Sequence, residues 1–97
     1  MAELVTIYFI SSTDNTNIKI GRSKNVKERL SSLQVASSAK LQVEYVIENM
    51  DPSFEQHIHS LVSRYNVSGE WFTQEALTHL LKHPWFKEHI EPVRRTA

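Results

Sequence analysis

Apolar residues crowd the first ten positions of the chain and then settle into alternation with polar ones, and this pattern lays out most of the elements. Val5, Ile7 and Phe9, interleaved with Leu4, Tyr8 and Ile10, make a run rich in strand formers, which predicts a buried first strand. Ser11 to Asn17 is polar and contains Asp14-Asn15, a turn signal. Ile18-Lys19-Ile20 then returns as a second strand, antiparallel to the first and closed by Gly21. Asn25, with Glu28 three residues later, reads as a helix cap with its reciprocal carboxylate, and Val26, Leu30 and Leu33 fall on one helical face. Leu41, Val43, Tyr45 and Ile47 alternate with more polar neighbours and predict a third strand with one solvated face.

Asp51-Pro52 predicts a helix start, a capping oxygen followed by proline at the first helical position. Phe54, Ile58, Leu61, Val62 and Tyr65 continue with helical period until Ser68-Gly69 breaks it. Thr73 opens a further helix whose buried face is Ala76, Leu77, Leu80 and Leu81. Pro84 ends that helix, because it lacks an N–H and restricts His83. Trp85, Phe86 and Ile90 then predict a last short helix folded back on the core, and Arg94-Arg95-Thr96-Ala97 is expected to fray. Without repeats, low-complexity tracts or linkers, residues 1–97 read as a single domain: one three-stranded sheet with helices against it.

Composition narrows the chemistry. Forty per cent hydrophobic and 23% charged residues suit a folded domain rather than a disordered one. The absence of cysteine excludes disulfides, zinc ribbons and thiol catalysis. No apolar run reaches transmembrane length, and Met1-Ala2-Glu3 lacks the basic start of a signal peptide, so a cytoplasmic protein is expected. Asn66-Val67-Ser68 spells a glycosylation acceptor that without such a signal reads as chance. A net charge of zero at first argues against nucleic acid. Residues 19–40, however, hold six basic side chains against Glu28 alone, and residues 44–75 hold six acidic ones against Arg64 alone. That segregation suits a phosphate site beside a metal-binding carboxylate, or two solvated faces that attract each other.

Individual residues carry the same double reading. A strand tyrosine such as Tyr8 ordinarily packs with its hydroxyl hydrogen-bonded. Lys19, held between Ile18 and Ile20, points to the opposite face from both, and in a hairpin it shares a face with Tyr8. A cation beside a phenol favours phenolate and lowers its pKa. Arg29 lies next to Leu30 at the edge of the helix's buried face, where its fork could meet a phosphate. Arg22, before the helix start, is the second phosphate candidate, and Lys24 and Lys27 are helix lysines that could join it or simply face solvent. Glu70, between Gly69 and Trp71-Phe72, sits where a charge needs a partner; it could hold Mg²⁺ or Mn²⁺ with waters and a phosphate oxygen, or offset the dipole of the next helix. Glu55 and His59, four apart, make either an intrahelical pair or a contribution to the site. His57 points away from His59. His79 and His83 read as an exposed pair rather than a metal site.

The ordered set resembles a known family. Thr6-Ile7-Tyr8, Lys19-Ile20-Gly21, Arg29, the Glu55-to-His59 spacing and Gly69-Glu70-Trp71-Phe72 resemble the GIY-YIG nuclease superfamily, over about Val5 to Phe72. The nearest pattern is the short branch with KIG and GEWF (meiotically up-regulated gene 113-like). The resemblance implies an α+β fold, a small three-stranded antiparallel sheet flanked by helices. It implies that Tyr8 acts as general base toward a water, that Lys19 assists it, and that Arg29 stabilises charge on the scissile phosphate. Glu70 would bind one Mg²⁺ or Mn²⁺, His59 would join the catalytic set, and Arg22, Lys24 and Lys27 would bind phosphate. Thr6 stands where the family has glycine, Lys19 replaces its second tyrosine, and the asparagine some members carry after the glutamate has no evident counterpart. No separate DNA-reading domain is expected. The implied function is a metal-dependent endonuclease of low intrinsic specificity, acting on DNA ahead of RNA, away from membranes, with a homodimer left open. The alternatives are a non-catalytic nucleic-acid-binding module on the same fold, and an interaction domain that shares only the scaffold.

Overall fold

The first strand is apolar on both sides, and a strand of that kind must be covered on both sides. In the computed structural model of the protein, which describes residues 3–93, β1 (Val5–Ser12) lies between two layers. Val5, Ile7 and Phe9 face one way, into the larger core cluster with Ile58, Val62, Ala76, Leu80 and Phe86. Tyr8 and Ile10 face the other way, with Leu41, and against them pack Val26, Leu30 and Leu33. One helix, α1 (Val26–Val35), covers the Tyr8 face. The opposite face is covered by α2 (Phe54–Leu61), α3 (Gln74–Leu81) and α4 (Pro84–His89). Each fully buried large side chain contributes on the order of 1.5–3 kcal/mol, so the larger cluster dominates stability and the smaller one places α1. Arg94 to Ala97, expected to fray, lie outside the described residues.

The sheet corrects the expected fold. The class remains α+β, but among the described residues the sheet has six strands rather than three, every neighbouring pair antiparallel. With β2 (Ile18–Ser23), β3 (Leu41–Met50), β4 (Asn66–Ser68), β5 (Trp71–Phe72) and β6 (Glu91–Pro92), the order is β4-β5-β2-β1-β3-β6. The three additional strands have two or three residues each, too short for any alternation to register. The exposed edges of β2 and β3 recruit β5 and β6, and β5 in turn pairs with β4: Ile18 and Lys19 pair with Phe72 and Trp71, and Tyr45 and Val46 pair with Pro92 and Glu91. Pro92, without an N–H, is acceptable there because β6 is an edge strand.

β3 also departs from its sequence pattern. Phe9 stands opposite Tyr45 while Ile10 stands opposite Val43, so Glu44 is an extra residue in a bulge. The bulge reverses the facing: Leu41 and Val43 join the Tyr8 side, whereas Tyr45 and Ile47 join the larger core. The alternation in sequence therefore does not mark one buried and one solvated face. A second irregularity between Val5 and Ile7 falls beside Asn49, whose φ is +59°, a conformation that asparagine tolerates better than most residues.

Local signals at the helix starts hold with two adjustments. Glu28 N–H donates to Asn25 Oδ1 at 3.0 Å, but Asn25 N–H donates to Ser23 Oγ rather than to the Glu28 carboxylate. The Asp51 carboxylate accepts from Ser53 N–H and Oγ at 2.9 and 2.6 Å, so Pro52 lies in a turn and α2 begins at Phe54. Pro84 occupies the first position of α4. β2, finally, does not end at Gly21. That residue lies inside the strand opposite Tyr8, and a Cβ on it would stand 2.5 Å from Tyr8 Cζ. Gly21→Ala is therefore expected to cost about 1–3 kcal/mol through overpacking, roughly 4–8 °C of melting temperature per kcal/mol in a domain of this size. In a Tyr8→Ala background the added cost should vanish, which a double-mutant cycle of thermal unfolding measures.

Candidate functional site

Strand register decides which of the chemical side chains meet. Tyr8 opposes Gly21 and Ile10 opposes Lys19, so Tyr8 and Lys19 share a face on a diagonal. Trp71 opposes Lys19 from the other side of β2. The Ile20 peptide ties two further residues to the same strand. Its N–H donates to the Glu70 carbonyl at 2.9 Å, and its carbonyl accepts from His59 Nε2 at 2.9 Å. Only a donor can face a carbonyl, so His59 carries its proton on Nε2. The His59 ring also stands edge-on to Phe72, with centroids 4.9 Å apart.

Lys19 is engaged by Glu70 rather than by Tyr8. Its Nζ lies 3.3 Å from Glu70 Oε1 and 5.5 Å from the centre of the Trp71 ring. Glu70 is the partly exposed member of that pair, with 41% of its side chain accessible. It sits in the turn between β4 and β5, where Gly69 takes φ +54° and Asn66 Nδ2 donates to the carbonyls of Gly69 and Trp71. Asn66 thus fastens the loop that presents the carboxylate, a role its sequence context concealed within a chance glycosylation motif.

Tyr8 is fully buried, and its hydroxyl makes no hydrogen bond of acceptable geometry to any described residue. Burial raises its pKa above 10.0, and the Glu70 and Glu55 charges push the same way. Arg29 opposes them, chiefly by its charge. The cation acting on the phenol is therefore Arg29, not Lys19, and the net effect favours the neutral phenol over the phenolate expected from sequence. Glu55 shows the same balance: burial first, then the Glu70 charge, raise its pKa above 4.5 against the pull of His59, Arg22 and Lys19. Glu55 and His59 do not pair as an isolated helical couple; both turn toward β2 and its neighbours.

The phosphate candidates separate. Arg22 donates from Nη1 to the Pro52 carbonyl at 2.6 Å and lies 3.9 Å from Glu55 Oε1, joining β2 to the start of α2. Arg22, Ser23, Lys24, Asn25, Glu28 and Arg29 line an open groove of about 460 Å³ at the head of α1. Lys24 is there but forms an exposed ion pair with Glu3. Lys27 is exposed on α1 and does not line the groove. His79 and His83 lie with ring centroids 5.3 Å apart on the far layer, away from this set.

Among the described residues no group of three or more His, Cys, Asp or Glu side chains could hold a metal ion. Of the two carboxylates beside β2, Glu70 is the more accessible, and it is close enough to Glu55 for the two charges to oppose each other; a divalent cation there would need water and substrate oxygens to complete its shell. Among the described residues no helix is long and apolar enough to cross a membrane. A family model described as the T5orf172 domain matches residues 5–95. No curated protein and no solved structure matches the chain.

The raised Glu55 carboxyl has a measurable consequence. It binds its proton more tightly in the folded state than in the unfolded chain, so stability falls as pH rises from the ordinary 4.5 through the raised folded value. Glu55→Gln removes that penalty. Its melting temperature should match the wild type near pH 4 and exceed it at pH 7; an equal difference at both pH values would assign the effect to packing instead.

Proposed function

We propose that this chain, which belongs to the T5orf172 domain family, is a metal-dependent endonuclease of the KIG/GEWF branch of the GIY-YIG nucleases, acting on DNA with low intrinsic specificity. T5orf172 domains occur in some nuclease-like, GIY-YIG-related proteins, which supports this reading. The observation that carries it is the Tyr8 hydroxyl: buried, unpaired, and subject to the opposed charges of Arg29 and Glu70. An unsatisfied buried hydroxyl costs about 1–3 kcal/mol. A phenylalanine would avoid that cost, and a reaction that needs a proton acceptor there explains why the hydroxyl is kept.

On this reading Arg29 presents its guanidinium from the groove at the head of α1 to the scissile phosphate and offsets the charge that develops on it. Tyr8 would accept the proton of the attacking water as phenolate, after its own proton has passed to solvent. His59 and Asn66 hold β2 and the Glu70 turn in fixed relation, and Arg22 supports a neighbouring phosphate while bracing α2. Mg²⁺ or Mn²⁺ held by Glu70 would supply positive charge for the leaving oxygen and offset the Glu70 share of the push on Tyr8, the larger share of which comes from burial. A second reading, a nucleic-acid-binding module without catalysis, is favoured by one observation: Tyr8 is fully buried and its pKa is raised.

Plasmid nicking separates the two. The purified protein should nick supercoiled DNA with Mg²⁺ or Mn²⁺ and stop when a chelator is added. Glu70→Gln should lower the rate by about 10²-fold or more while the circular dichroism spectrum stays unchanged. DNA binding that is equal in both proteins, with no cleavage by either, would establish the module instead.

A further inference from the structure

The cation reading leaves one contact unexplained, since the carboxylate assigned to a divalent ion already has a cation against it. Lys19 Nζ lies 3.3 Å from Glu70 Oε1, and only 17% of the lysine side chain is accessible. The contact is held from both sides. Ile18 and Ile20, both essentially inaccessible, lock the Lys19 backbone into β2, and the Ile20 N–H holds the Glu70 carbonyl at 2.9 Å. The backbone therefore holds the two residues side by side. An ammonium and a divalent ion cannot both sit against one carboxylate without strong mutual repulsion.

Resting on the reading of Glu70 as the metal carboxylate, we propose that Lys19 is a built-in competitor of the divalent cation: it covers Glu70 until the cation displaces it. Displacement does not strand the ammonium. Trp71, paired directly across from Lys19, offers its ring at 5.5 Å, and a lysine over an indole face keeps a favourable electrostatic partner. The four-carbon stem gives Nζ room to move between the two without moving β2. Released from Glu70, the ammonium lies on the Tyr8 face of the sheet, where its charge would serve the phenol or a bound phosphate. One residue thereby masks the carboxylate in one state and serves the reaction in the other. This ties the assisting role of Lys19 to cation binding.

The test is cation binding itself, without DNA. Isothermal titration with Mn²⁺ should give Lys19→Met a dissociation constant at least about fivefold below that of the wild type, the fold-change expected when an ion pair of about 1 kcal/mol no longer competes. Lys19→Gln, which also lacks the charge, should behave likewise and serves if the methionine variant does not fold. In a Trp85→Phe background, which leaves Trp71 as the only tryptophan, Mg²⁺ should change the indole emission when Lys19 is present and leave it unchanged in Lys19→Met. Equal or weaker Mn²⁺ binding by both neutral variants would overturn the competition while leaving Glu70 as the ligand. Mn²⁺ binding that survives Glu70→Gln undiminished would overturn the metal assignment beneath it.

Discussion

Everything chemical in this domain hangs from the main chain of Ile20. Its side chain is inaccessible in the larger core, so the peptide cannot shift without disturbing the packing of α2 and α3. Its N–H holds Glu70 and its carbonyl holds His59, while its neighbours Lys19 and Gly21 supply the ammonium and the space for the Tyr8 ring. A three-residue stretch thus fixes a carboxylate, an imidazole, a cation and a phenol relative to one another. The Glu70 main chain is held by a backbone hydrogen bond and His59 by its ring nitrogen on the Ile20 carbonyl, and because both anchor on a paired strand they position these groups more firmly than contacts on a loop would.

The electrostatics follow from that crowding. Burial pushes Tyr8 and Glu55 toward their neutral forms, and Glu70 pushes both the same way. Arg29 acts on the phenol, and Arg22, Lys19 and His59 act on Glu55, without reversing either shift. The balance at β2 is therefore set by desolvation first, with Glu70 reinforcing it and the neighbouring cations offsetting it only in part.

The legible and illegible parts of the sequence divide along the range of the interactions. β1, β2, the Asn25 cap and the proline-started α4 were legible because their causes are local: side-chain period, one capping oxygen, one missing N–H. β4, β5 and β6 were not, because nothing in two or three residues calls for a strand until a partner edge, β2 for β5, β3 for β6 and β5 for β4, stands beside them. The bulge at Glu44 hid in the same way, since an alternation through Leu41, Val43, Tyr45 and Ile47 looks continuous until its partner strand is known. At the site, residue identity brought Tyr8, Lys19, Arg29 and Glu70 into view, and register does place Tyr8 and Lys19 on one face. Their partnerships were not legible: Lys19 beside Tyr8 in the strand pattern was also beside Glu70 in space. Asn66 escaped functional notice because it acts through the carbonyls it holds rather than through a motif; Gly21 and Glu55 came into view by motif and spacing, but what they touch did not.

The zero net charge acquires a physical meaning in this arrangement. Three of the basic side chains that made residues 19–40 look like a phosphate-binding segment are each matched to a carboxylate: Lys19 with Glu70, Arg22 with Glu55, Lys24 with Glu3. The last of these is exposed and contributes little, so it yields readily to an incoming anion. Arg29 differs. It lines the groove and has no ion-pair partner among the described residues, its charge acting on Tyr8 instead. A phosphate entering the groove therefore meets one uncommitted guanidinium first, and it draws on the other cations only by exchanging their carboxylates. Exchange of this kind releases fewer bound counterions than the same number of free lysines would. Neutrality here takes the form of internal ion pairs, with one guanidinium in the open groove left without an ion-pair partner among the described residues, and it is compatible with anion binding as a uniformly neutral surface would not be.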